Sequence, residues 1–291
     1  MENILVDKIS KRTSSDLVLD QRNAILVVVE EIILSGIART NLFQHAYLYG
    51  PTYQNIFYRI PKYSLNLEFA LYDGSYAVDL EKSLKSAVKE LLSYGIKSNI
   101  DTRLKSISQG NQTLFLRIPL KPIFELVFPK NAKQITKSQV LSIKCSITTT
   151  NNKYVGYQLR YILEPTQILV KTIDESTAYS LSIRNILFSK WSTRVSADDL
   201  ENFIRYSQLE TSINYQYLDS EMRRYGDEFP RFRKLDLNYL KKVLKRRFEE
   251  IDFDYAYREL LLETKDYNLT VKWDKYLFLS YLDNIYEERR K

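Results

Sequence analysis

A mixed α+β module followed by an all-helical module is the fold this sequence predicts, and three observations carry the prediction. Up to about residue 175, short segments alternate apolar and polar residues, the spacing of strands with one buried face. From about residue 176 onward the apolar residues recur every three or four positions, as on one face of a helix. A chain of 291 residues with seven Gly and seven Pro is long enough for real cores and too poor in linker residues to be disordered. The expected boundaries are 1–175 for the mixed module and 176–291 for the helical one.

In chain order, Leu19, Ile25, Leu26, Val29, Ile32 and Ile33 stand at helical spacing over residues 16–37, with Gly36 expected near the stop. Residues 43–49 form a short element leading into Gly50. A strand is expected over 64–71: Leu65, Leu67, Phe69 and Leu71 fall on one side, Ser64, Asn66, Glu68 and Ala70 on the other. Asp73-Gly74 marks a turn. Leu80, Leu84, Ala87, Val88, Leu91 and Leu92 then make a helical stripe ending at Gly95. Strands follow over 96–107 and 113–120, separated by Gly110. Over 139–148, Leu141, Ile143, Cys145 and Ile147 oppose Val140, Ser142, Lys144 and Ser146. Strand-like runs also cover 157–163 and 168–173. In the second module, helices are marked by Leu200, Phe203, Ile204 and Leu209, by Leu237, Leu240, Val243, Leu244 and Phe248, and by Tyr257, Leu260 and Leu261, with a last helix over 276–286.

Composition narrows the function classes. The single Cys145 excludes an intramolecular disulfide framework. The single His45 excludes a His-rich metal site and a Ser–His or Cys–His catalytic pair. The first residues lack a basic leader followed by an apolar core, so no signal peptide is expected. The longest apolar run, starting at Ala24, is interrupted by Glu30-Glu31 and is too short to span a bilayer. A cytoplasmic protein with no membrane partner is the expectation. The formal charge of +7 suits an acidic partner such as nucleic acid. Lys241, Lys242, Lys245, Arg246 and Arg247 read either as a solvated helix face or as a contact for RNA or DNA, which needs clustered positive charge.

Chemistry concentrates in residues 50–69. Gly50-Pro51-Thr52 suits a turn into a short helix, where backbone N–H groups can meet a phosphate, although Pro51 itself has none. Asn66 and Glu68, two residues apart on the open side of the next strand, present two oxygen-bearing side chains together. The stretch Gly50-Pro-Thr…Tyr58-Arg-Ile-Pro-Lys-Tyr-Ser-Leu-Asn-Leu-Glu-Phe69 resembles the signature of the AbiEii/AbiGii abortive-infection toxins, roughly Gly-Gly-Thr…Tyr-Gly-x-Pro-Arg-x-Ser-x-Asp-x-Asp-Phe. The match has no gap. The order of a mixed part and a helical part, and the residues from Lys245 to Leu261, extend a weaker resemblance over nearly the whole chain.

That resemblance implies a nucleotidyltransferase fold of the DNA polymerase β type, with Mg²⁺ and an NTP held by three carboxylates. The departures fall on the chemistry. Pro51 stands for the second Gly, Asn66 for the first Asp and Glu68 for the second. Glu68 remains a possible metal ligand, while Asn66 offers an oxygen without charge. The third acid is expected on the 139–148 strand, whose outward residues are Lys144 and Ser146, and neither is a carboxylate. Asp73, Asp79 and Asp101 are the remaining acids nearby in sequence. Gly50, Thr52 and Lys62 take the phosphate-binding positions. A later motif, roughly Ala-Glu-Lys…Arg…Arg-Asp-x-x-Asp on two helices, falls on residues 182–203. There Arg184 or Lys190 replaces the Lys, Asp199 the first Asp and Asn202 the second. Asp198 and Asp199 equally fit the first turn of a helix capped near Ser196.

The resulting expectation is an AbiEii-like pseudoenzyme of a phage-defence or toxin–antitoxin system, with two of three metal-binding carboxylates missing. Its expected partners are an antitoxin protein and an RNA such as tRNA. The alternatives are an active Mg²⁺-dependent nucleotidyltransferase modifying RNA, and a module that only holds a nucleotide, a nucleic acid or a protein.

Overall fold

Residues 24–37 are apolar around almost the whole circumference of a helix, and such a segment is stable only when other elements wrap it. The computed structural model describes residues 4–60, 63–72, 78–108, 111–149, 152–189, 193–225, 235–264 and 272–287. Lys62, the Asp73-Gly74 turn, Gly110 and Lys190 lie outside the described residues. The chain divides into two compact units, Met1–Asn151 with Gln158–Thr172, and Asn152–Tyr157 with Ile173–Lys291.

In the first unit, α1 (Ile4–Arg12) precedes α2 (Val18–Ala38), which is buried throughout 24–37. Gly36 stands two residues before the end of this helix at Ala38, near the stop as expected. After α3 (Leu42–His45), β1 (Ala46–Tyr49), α4 (Pro51–Tyr58) and β2 (Asn66–Leu71) comes α5 (Leu80–Ser93). Asp79 caps α5 by accepting from the Lys82 N–H at 3.0 Å. The stripe of Leu80, Leu84, Ala87 and Leu91 is buried, each fully buried Leu contributing roughly 1.5–3 kcal/mol. A Cβ on Gly36 would stand 2.5 Å from the Ala87 Cα, so the glycine marks close backbone approach of α2 and α5.

The remaining elements of this unit are β3 (Asn99–Ser108), β4 (Asn111–Pro119), α6 (Leu120–Val127), β5 (Val140–Thr149), β6 (Tyr157–Ile162) and β7 (Ile168–Ile173). Among the described residues, seven strands form one sheet in the order β3-β4-β5-β2-β1-β7-β6. The sheet is mixed: β2 runs parallel to β5 and antiparallel to β1, and β1 runs parallel to β7. Its core face is fixed by alternation, with Leu67, Phe69, Leu114, Leu116, Ile143, Cys145 and Ile147 all buried. α1 and α3 carry too few residues for a clear period, and sequence reasoning did not resolve them as helices.

The second unit contains α7 (Glu175–Leu187), α8 (Ala197–Gln208), β8 (Ser212–Ile213), α9 (Tyr215–Tyr225), α10 (Leu237–Glu250), α11 (Phe253–Thr264), α12 (Lys275–Ser280) and β9 (Tyr286–Glu287). Side-chain oxygens of Asp174, Ser196, Asp236 and Asp274 cap α7, α8, α10 and α12. Aromatic rings fill its core: Phe253 stacks on Phe278 at 4.7 Å, and Phe203 meets Phe248 edge-on at 5.3 Å. The helix expected over 276–286 is a correction. Only Lys275–Ser280 is α-helical, a 3₁₀ turn covers Leu282–Asn284, and Tyr286 pairs with Ser212 in a short parallel bridge. Competing backbone partners on β8 end the helix that the apolar spacing alone would extend. Among the described residues, no helix is long and apolar enough to cross a membrane.

Candidate functional site

Strand register places the chemistry of residues 50–69. Glu68 lies opposite Tyr49 on β1 and opposite Ser146 on β5, and Asn66 lies opposite Lys144. Directly paired residues and residues two apart share a sheet face, so Tyr49, Asn66, Glu68, Lys144 and Ser146 stand on the face opposite the Leu67/Phe69 core. Lys144 is exposed and Asn66 and Glu68 are half-buried, whereas Ser146 is buried. Among the described residues the Lys144 ammonium has no partner. The Tyr49 hydroxyl is raised from its ordinary pKa by burial first and by the Glu68 charge second, opposed by a hydrogen bond with Thr148.

Gly50 is tied to this face by geometry. Its backbone sits at φ 83°, ψ −168°, a region essentially reserved for glycine. A Cβ there would lie 2.2 Å from Oε2 of Glu68. The Glu68 carboxylate thus rests against the turn from which α4 starts, at the positive end of the helix.

Thr52 is placed differently from its expected phosphate-binding role. It is 1 % exposed, and its hydroxyl donates to the Asn66 carbonyl at 2.8 Å with Oε1 of Glu30 at 3.0 Å. One hydroxyl proton cannot serve both oxygens. Burial raises the Glu30 pKa well above the usual carboxylate range, assisted by Glu31 and opposed by the Thr52 hydrogen bond. The Thr52 hydroxyl faces two acceptors, the Asn66 carbonyl and Oε1 of Glu30, and donates to one of them at a time. The side chain is a clasp between α2, α4 and β2, turned inward because its neighbours supply both partners.

The helical-motif residues lie in the second unit. Arg184 on α7 pairs with Glu221 of α9 at 3.3 Å, donates to Asn185 at 2.7 Å and lies 4.4 Å from the Tyr225 ring centre. Glu221 also accepts from Asn152 at 2.9 Å, and Asn185 donates to Asp199 at 3.0 Å. Arg184 and Asp199 are thus joined through Asn185. Ser196 accepts from the Asp198 N–H at 3.3 Å, so both acids occupy the first turn of α8. The basic run on α10 is smaller than the sequence suggests. Arg247 is 7 % exposed and donates from Nε to the Ile186 carbonyl at 2.8 Å, and Lys241 pairs with Asp283 at 3.3 Å. Helical periodicity turns Arg247 inward beside Phe248, leaving Lys242, Lys245 and Arg246 exposed.

The metal that the resemblance implies does not fit these residues. Glu68 is the one carboxylate on the Asn66/Lys144/Ser146 cluster, and Lys144 cancels its charge. Asp101 on β3 is three strand spacings from β2, roughly 14 Å. Its carboxyl is held at about 2, first by the Arg103 hydrogen bond, while burial opposes. Asp79 is occupied as the α5 cap, and Asp73 lies outside the described residues. Among the described residues, no group of three His, Cys, Asp or Glu could hold a metal ion.

Sequence reasoning missed the Glu30 clasp, the Glu221 bridge, and Arg59, which follows α4 in the left-handed region at φ 54°. The Glu30-Glu31 interruption of an apolar helix was the signal available for the first. Arg59 occupies the place where the resembled pattern has Gly, which was the signal for the last.

No family model matches the sequence, and no curated protein matches it either. Among solved structures, a candidate nucleotidyltransferase from Helicobacter pylori is similar at TM-score 0.48 and 15% identity, covering 87% of this chain and 88% of that one. JHP933 from Helicobacter pylori is similar at TM-score 0.49 and 14% identity, covering 90% and 88%. MenT4, a nucleotidyltransferase toxin from Mycobacterium tuberculosis, is similar at TM-score 0.43 and 12% identity, covering 84% of this chain and 69% of that one.

Proposed function

We propose that this chain is an AbiEii-like protein of a phage-defence or toxin–antitoxin system, with an eroded catalytic centre that still holds a nucleotide. The observation that carries the reading is the register-fixed cluster of Asn66, Glu68, Lys144 and Ser146 beside the Gly50 turn. A glycine turn opening a helix against an acid-bearing strand keeps the layout of the resembled motif. The charge on that layout is changed. Asn66, Glu68 and Lys144 sum to about zero, where a centre for hard divalent ions concentrates negative charge. Lys144 supplies positive charge of its own, so a nucleotide phosphate meets an ammonium in place of an ion.

Two assays test this. Purified protein incubated with labelled NTPs, Mg²⁺ and tRNA is expected to give no incorporation above background. Robust incorporation abolished by Glu68→Ala would establish the active transferase instead. Calorimetry with NTPs is expected to show binding that is the same with and without Mg²⁺ and weakened by Lys144→Ala. Strictly Mg²⁺-dependent binding would refute the charge-exchanged site, and no binding to any NTP would leave a protein-interaction module.

A further inference from the structure

Away from the sheet face, the first unit carries a concavity at the opposite end of α4. It has a volume of about 440 Å³ and is lined by Lys11 and Arg12 of α1, Ala24 and Val27 of α2, Asn55 and Ile56 of α4, and by Arg59 and Tyr63. That volume falls within the roughly 300–1,000 Å³ range of small-molecule sites. The lining is divided: three cations gather in it, while Ala24, Val27, Ile56 and the Tyr63 ring supply apolar surface.

Arg59 is the informative residue. At φ 54° it holds the left-handed position after a helix that glycine normally takes, which disfavours a residue with a Cβ. Its backbone N–H caps α4 by donating to Asn55 at 3.0 Å, a service glycine would perform equally well. Among the described residues its guanidinium has no partner. Arg59 lines the pocket beside Lys11 and Arg12. Arg12 is paired with buried Glu31, and Lys11 with Asp7 at 2.7 Å in an exposed pair of little strength. Asp20 lies near enough to Tyr63 to raise its hydroxyl pKa, after burial. Glu31 is raised to about 7, first by burial and against the opposing charge of Arg12.

We infer that this pocket binds a nucleoside diphosphate, with Arg59 and Arg12 gripping the phosphates and the apolar wall receiving the base. Guanidinium groups suit the task because their planar forks make paired hydrogen bonds to phosphate oxygens. The α4 helix is eight residues, roughly 12 Å, long, so the pocket is separate from the Glu68 carboxylate at its other end. The inference does not rest on the proposed function.

Calorimetric titration of the full chain with ADP, pyrophosphate and adenosine tests it. ADP and pyrophosphate are expected to bind and adenosine to bind much more weakly. Arg59→Gly is expected to weaken ADP by about tenfold or more without lowering the thermal midpoint, since glycine suits that backbone. Arg12→Ala is expected to weaken it similarly. Absence of saturable ADP and pyrophosphate binding to the wild-type chain would overturn the inference. So would affinity that survives Arg59→Gly and falls with Lys144→Ala, which would assign the ligand to the sheet face.

Discussion

Burial strips Glu30 of water on every side, and its hydrogen bond with Thr52 links α2 to the start of β2. A carboxyl whose folded pKa is raised binds its proton more tightly folded than unfolded. Its stabilisation is complete below the unfolded value near 4.5 and is lost as pH rises through the folded value. Glu31, raised to about 7, adds a loss of the same sign, on the order of 3 kcal/mol across that window. Wild-type stability is therefore expected to decline from pH 5 to pH 8. Glu30→Gln keeps an oxygen for the Thr52 hydroxyl without the ionisation, so its unfolding midpoint should fall less over that range and exceed the wild type at pH 8. Thermal melts at four pH values decide the matter, and an unchanged slope would mean that Glu30 does not titrate as its burial demands.

At the scale of elements, the α2/α5 crossing is set by Gly36 against Ala87. Alanine favours a helix interior over glycine by up to about 1 kcal/mol. Overpacking a tight contact costs about 1–3 kcal/mol, and here the obstacle is backbone, which cannot swing aside. Gly36→Ala is accordingly expected to lower stability, readable as a drop in denaturant midpoint with an unchanged slope. The β2/β5 register supports a second expectation. Asn66→Asp, Glu68→Asp and Lys144→Asp together would place three carboxylates on neighbouring positions of one face. Such a triple variant should gain thermal stability on addition of Mg²⁺ or Mn²⁺, as any ligand that binds only the folded state provides. A midpoint indifferent to both ions would show that these side chains do not converge.

For the molecule as a whole, the charge of +7 has fewer surface outlets than the sequence suggests. With Arg247 buried and Lys241 paired, a nucleic-acid contact on α10 would rest on Lys242, Lys245 and Arg246. Changing these three to Glu should weaken tRNA binding and flatten its salt dependence by about three counterions' worth, measured by filter binding between low and moderate salt. An unchanged slope would move the RNA contact elsewhere. The mixed sheet and most helices were legible because period-two and helical spacings survive in β2, β5, α5 and α10. Chain-terminal helix ends were not, since the pairing of Tyr286 with Ser212 is a long-range event that no local period records. On the sheet face, the shared side of Asn66, Glu68 and Lys144 could be read from alternation. The inward turn of Thr52 could not, because it depends on Glu30, twenty-two residues upstream.

The Glu30–Thr52–Asn66 clasp also bears on how the protein breathes. Residues just before β2 hold β5 through the Leu65 carbonyl, which accepts from the Lys144 N–H at 2.7 Å. With the clasp closed, that amide is anchored to the most buried helix of the first unit and should exchange with deuterated solvent only when the unit opens globally. Thr52→Val removes the clasp, and the front of β2 can then part from β5 on its own. Exchange at Lys144 should then outpace that at Cys145 and Ile147 in Thr52→Val, whereas the wild type should hold all three together.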